Sequence, residues 1–101
     1  MVNQSSASSS ISTSSTSVEI AKNHSGVLKR TQLIIVNTSA AATLTITKGD
    51  TAAIAGAGIV LPPNGVYAES TDGGYLCWQG AIQAVSNVAG SVSIVESFIG
   101  G

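Results

Sequence analysis

The chain has 101 residues, with four basic and five acidic side chains and a formal net charge of −1. Charged residues make up 9% of it, against about 25% in an ordinary soluble domain. That excludes an electrostatic nucleic-acid binder, which needs a basic stripe to displace counterions from phosphates, and a polybasic membrane-surface protein.

Residues 1–17 are rich in Ser and Thr, and besides Met1 only Val2 and Ile11 are sizeable apolar groups. Such a stretch cannot bury enough apolar area to offset the entropy of ordering it. Two readings follow: a flexible tail, or an arm ordered by docking on a neighbouring subunit. Extended at about 3.3 Å per residue, the arm reaches roughly 55 Å. The chain therefore divides into a Ser/Thr-rich arm, residues 1–17, and a domain, residues 18–101.

From Val18 onward the pattern is all-β. Val18-Glu19-Ile20 alternates apolar and polar. Leu28 to Asn37 is a long β-branched run with Leu33 and Ile35 on one face and Ile34 and Val36 on the other, as in a strand covered on both sides. Thr43 to Thr47 alternates cleanly and predicts a half-buried strand. Thr51 to Ala57 could form one helical turn, which Gly56 and Gly58 keep short. Ile59-Val60-Leu61 is a short strand ended by Pro62-Pro63, and Asn64-Gly65 turns the chain into a strand at Val66 to Glu69. Asp72-Gly73-Gly74 is another turn. Gly80 to Ser86 and Ser91 to Glu96 are the last two strands. About seven short strands, with turn signals every 8–12 residues, predict a small antiparallel β-sandwich or jelly-roll-like barrel.

Hydrophobic residues are 44% of the chain. A compact protein of this size exposes roughly 5,200 Å², and a soluble surface is normally about 25–35% charged. The surface must then be covered with neutral Ser, Thr and Asn, or buried against other subunits, or both. The one cysteine, Cys77, cannot form an intramolecular disulfide, so the chain is not a disulfide-stapled secreted module. The longest apolar run, Ala52 to Leu61, is too short to span a bilayer. No basic segment precedes an apolar core at the start, so the expectation is a cytosolic product or a particle assembled in cytosol.

Candidates for chemistry are sparse. His24, the one histidine, sits in a polar Asn23-His24-Ser25-Gly26 turn, which reads as a surface position more than as a catalytic base. Cys77 beside Trp78 reads as a small buried hydrophobe, and Cys77 and His24 cannot alone build a tetrahedral zinc site. The carboxylate pairs Glu69/Asp72 and Glu19/Glu96 carry no acid–base signature beyond solvation. Gly56-Ala57-Gly58 lacks the spacing and the following helix of a dinucleotide site, and Lys48 precedes its glycine, unlike a phosphate loop. Lys48-Gly49-Asp50 matches an integrin-binding tripeptide, of a length that chance supplies often. Asn3, Asn23 and Asn37 begin glycosylation sequons that matter only on a secreted route. No cofactor or metal site is expected. Lys29-Arg30 is the one adjacent basic pair; it either guards a strand edge or bridges to a partner. Tyr67, Tyr75 and Trp78 could form a sugar-stacking platform or interface anchors, with Trp78 equally suited to the core.

Six segments stand out: Arg30-x-x-Leu33-x-Ile35-x-Asn37, Gly49-Asp50-Thr51-Ala52-Ala53, Gly58-Ile59-x-Leu61-Pro62-Pro63-x-Gly65, Tyr67-x-Glu69, Gly80-Ala81-Ile82-x-Ala84-Val85 and Val92-x-Ile94-x-Glu96. Together they resemble small bacteriophage virion proteins of the capsid-decoration and head-fibre type. The resemblance covers about two thirds of the chain, excludes the Ser-rich arm, and brings no catalytic residues. It implies a compact β-sandwich and a structural role in the virion, often as a homo-oligomer.

The expectation is therefore a non-enzymatic capsid decoration or cement protein, located in the virion and assembled in the host cytoplasm. Its partners are the major capsid protein or other virion subunits, with no nucleic acid and no membrane. Val2, Ile11, Lys29, Arg30, Tyr67 and Tyr75 are the candidate partner-binding residues. The alternative is a fibre or adhesion module whose Tyr67, Tyr75 and Trp78 bind host glycan.

Overall fold

The computed structural model describes residues 3–24, 29–72 and 74–100. Eight strands occur in chain order: β1 (Asn3–Thr13), β2 (Val18–Ala21), β3 (Lys29–Asn37), β4 (Leu44–Lys48), β5 (Ile59–Leu61), β6 (Val66–Ser70), β7 (Ile82–Ser86) and β8 (Gly90–Gly100). They form two four-stranded sheets of order β1-β8-β3-β6 and β2-β7-β4-β5, antiparallel throughout. Only β4 and β5 are joined directly within a sheet; every other connection crosses between sheets. Eight strands interleaved in this way make a jelly roll, one of the two architectures the strand pattern predicts.

Each predicted strand has its counterpart, and the eighth strand lies where an arm was expected. Asn3–Thr13 pairs with β8 in unbroken register from Asn3↔Gly100 to Thr13↔Gly90. Side-chain burial is indeed slight, since residues 4–10 are all exposed. Ordering comes instead from main-chain hydrogen bonding to an equally long neighbour, a source that composition does not register. The holder is the chain's own β8. Ile11, one of the expected contact residues, packs against the core. Val2 lies outside the described residues.

The core fills the space between the sheets. Leu33 and Ile35 of β3 with Val92 and Ile94 of β8 meet Ile20, Leu44, Ile46, Ile82 and Ala84 of the second sheet, and Cys77 joins them. These positions alternate along their strands, so the period of two selects the buried side. Asn37, fully buried at the end of β3, ties loops together. Its Nδ2 donates to the carbonyls of Ala42 at 2.8 Å and Leu61 at 3.0 Å.

The Thr51–Ala57 segment is a turn closed by an Ile54↔Ala57 bridge, where a helical turn was expected. Gly56 takes φ +80° there, a conformation glycine adopts freely. The segment lies against the outer side of the second sheet: Gly56 N–H donates to Thr45 Oγ1 at 3.0 Å, and Ala53 N–H to Ser17 Oγ at 2.8 Å. Asn64 makes the predicted turn before β6 with φ 65°.

Candidate interaction surface

Four of the nine charged side chains are taken up by two pairs within the fold. Arg30 is fully buried, and all five of its N–H bonds find acceptors. Nε and Nη2 reach Glu96 Oε2 at 2.8 and 2.7 Å. Nη1 donates to the carbonyls of Trp78 at 2.5 Å and Gly80 at 3.2 Å, and Nη2 to that of Lys22 at 2.9 Å. The expected role of Arg30 as a partner contact is therefore corrected: the fold consumes the guanidinium. Gln79, which sequence reasoning passed over, embraces the Arg30 backbone, accepting from its N–H at 2.7 Å and donating to its carbonyl at 2.6 Å.

Glu96 shares the inward side of β8 with Val92 and Ile94, whose parity it keeps, and its side chain is 15% exposed, so it is more than a solvating surface charge. His24 is likewise drawn inward. Its ring lies 4.6 Å from that of Phe98 and its Nε2 is 3.7 Å from Glu96 Oε2, so the expected surface histidine is half-buried.

The second pair is Lys48 with Glu69, at 2.8 Å across the gap between sheets. Glu69, only 7% exposed in its side chain, also accepts from the Tyr67 hydroxyl, from Tyr75 Oη at 3.1 Å and from the Trp78 N–H at 2.6 Å. Burial pushes its carboxyl up, but the hydrogen bonds from Lys48, Tyr67 and Trp78 outweigh this and bring it down to about 2. Lys48 is penalised by burial and raised overall by its bonds to Glu69 and Tyr67. The three aromatics proposed as a sugar platform do converge, yet Lys48 Nζ stands over the rings of Tyr67 and Trp78 at 5.5 and 5.7 Å. Two ring faces are thus occupied from within, and Tyr75, 50% exposed, is the aromatic left at the surface.

The Cys77 thiol is buried. Burial, then the nearby Glu69 charge, pushes it up to about 11, so it is protonated at neutral pH and a poor nucleophile. Among the described residues no cluster of His, Cys, Asp and Glu could hold a metal ion, and no helix is long and apolar enough to cross a membrane.

After these pairings, the surface keeps Glu19, Lys22, Lys29, Asp50 and Asp72 as its exposed charges. None falls in the central rows of the outer face of the first sheet. Across β1, β8, β3 and β6 those rows read Ser6-Ser97-Gln32-Ser70, Ser8-Val95-Ile34-Ala68 and Ser10-Ser93-Val36-Val66. Lys29 stands at one end, opposite Ile99. Five apolar side chains, Ile34, Val36, Val66, Ala68 and Val95, thus adjoin on an uncharged face, with Val66 57% exposed. The β3 pattern predicts a strand covered on both sides. The inner side is covered, and among the described residues nothing of this chain covers the outer one. The second sheet differs: the Thr51–Ala57 segment lies against Thr45 on its outer side, and Thr45 and Val85 are buried there, while Val60 beside Thr45 is 46% exposed.

No protein-family model matches this sequence, and no curated protein matches it. Among solved structures, the coat protein of tobacco streak virus is similar, with 14% identity and a TM-score of 0.46 over 95% of this chain and 85% of that one.

Proposed function

We propose that this chain is a non-enzymatic structural protein of a bacteriophage particle that decorates or cements the capsid. It seats the outer face of the β1-β8-β3-β6 sheet on the major capsid protein or another virion subunit, in the virion, after assembly in the host cytoplasm. The observation that carries this reading is the uncharged, partly apolar face that β3 and β6 present with no cover of their own. A specific contact typically buries about 800 Å² per partner, and charge-depleted centres with polar rims are what such contacts use. Jelly rolls serve both capsids and lectins, so the topology alone does not choose between them.

The test uses particles produced with and without this chain. Purified protein should add saturably to particles that lack it and raise the temperature at which they release their genome. Ile34→Lys with Val66→Lys should weaken addition at least tenfold while the protein stays folded. Equal release temperatures for saturated and bare particles would sink the stabilising role.

The second reading, a fibre or adhesion module for host glycan, draws on the convergence of Tyr67, Tyr75 and Trp78. The occupation of two of those rings by Lys48 weighs against it. Glycan-array binding abolished by Tyr75→Ala would favour it.

A further inference from the structure

We propose that two copies of this chain join edge to edge through β1, antiparallel about a two-fold axis, so that their first sheets become one continuous eight-stranded sheet. This goes beyond the virion reading and does not depend on it.

The proposal starts from the free edges. Among the described residues, each sheet ends in two strands with one unpaired side: β1 and β6 in the first sheet, β2 and β5 in the second. β6, β2 and β5 are 5, 4 and 3 residues long, and short edges offer little template for pairing. β1 has 11 residues and presents a long row of unpaired N–H and C=O groups. Proteins blunt such an edge with charges, proline or a bulge. Asn3–Thr13 contains no charged residue and no proline. Its register with β8 runs without the shifts that interrupt β2–β7 and β3–β8. The edge is unbroken in register, neutral and, among the described residues, open.

The occupant follows from symmetry and composition. An antiparallel edge is complementary to itself, and a two-fold contact needs no second kind of surface. Two copies of a neutral edge meet without the repulsion that opposed like charges bring. The side chains at residues 4–10 are mostly Ser, exposed toward both faces, so a second β1 alongside meets no bulky group on either side. The joined sheet places two uncharged outer faces side by side.

Sedimentation velocity across a concentration series, on the full chain, is the direct test. The wild type should reach twice the monomer mass. Ser5→Lys with Ser9→Lys, on the inward rows and away from the outer face, should shift the dissociation constant at least tenfold toward monomer with an unchanged melting temperature. A cysteine scan over residues 5–10 fixes the geometry, because Cys77 is buried and inert. Symmetric pairing gives disulfide dimers that peak sharply at the position on the axis. A wild type that is monomeric at every concentration overturns the proposal. So does a dimer that the two lysines leave intact, or a flat cysteine scan, either of which assigns the contact to another surface.

Discussion

Arg30 donates twice to a single oxygen of Glu96, from Nε at 2.8 Å and from Nη2 at 2.7 Å, although the two residues are 66 positions apart in the chain. The pair sits on the inner side of the first sheet, where an uncompensated charge would be costly. Arg30→Met would strand the Glu96 carboxylate together with three carbonyl acceptors. Breaking a buried pair from one side typically costs about 3–5 kcal/mol, and that loss is expected in urea unfolding. Glu96→Gln keeps an acceptor oxygen beside the guanidinium and should cost less, about 1–3 kcal/mol. Equal losses for the two variants would show that the guanidinium's bonds to the carbonyls contribute little.

Glu69 supplies the acid sensitivity. Its carboxyl is lowered from 4.5 to about 2, so the folded state binds its proton later than the unfolded chain does. The associated stability is fully present above pH 4.5 and is lost as pH falls toward 2. Two to three pKa units correspond to roughly 3 kcal/mol. Glu69→Gln should be less stable than wild type at pH 6, and between pH 5 and pH 2.5 its unfolding free energy should fall by less than that of the wild type. Parallel curves for the two proteins would assign the acid response to other carboxylates.

The strands were legible because β-branched residues alternate between turn residues that stop them, as at Leu44-Thr45-Ile46 and Asn64-Gly65. β1 was not, because a serine strand held by main-chain bonds buries almost nothing and so leaves no hydrophobic period to read. The site was legible only in outline. Ile34 and Val36 announce an apolar outer side of β3, but only the sheet order shows which residues adjoin them. Aromatic character singles out Tyr67 and Tyr75, and they do meet, through the Glu69 carboxylate that both hydroxyls reach. Glu96 could have been placed correctly, since it keeps the parity of Val92 and Ile94. Arg30 could not, because strict alternation from Leu33 and Ile35 points it outward with Gln32 and Ile34, and the irregularity between Arg30 and Gln32 turns it inward.

Cys77 offers a probe of global opening. With its thiol pushed up to about 11, the thiolate fraction at pH 7 is on the order of one in ten thousand. A disulfide reagent should leave the native protein essentially unlabelled over hours and react at once in denaturant. Labelling rates across sub-denaturing urea should then extrapolate to the global unfolding free energy. Rapid labelling without denaturant would mean that the segment around Cys77 opens locally and that the Glu69 cluster does not hold it shut.

The bare face of the first sheet makes the last prediction, because folding and contact place different demands on the same apolar side chains. Leu33, on the inner side of β3, is fully buried, and Leu33→Ala should cost about 2–5 kcal/mol. Val66 lies on the outer side, paired with Val36 across β3 and β6 and largely open to solvent. Val66→Ser loses only a cross-strand contact and some strand preference, about 0.2–1 kcal/mol. If Val66 and its neighbours exist for adhesion, Val66→Ser should leave the melting temperature within a few degrees of wild type yet reduce particle binding several-fold. A large loss of stability with binding intact would reverse the assignment, making the outer apolar rows part of the folding core and leaving adhesion to a different surface.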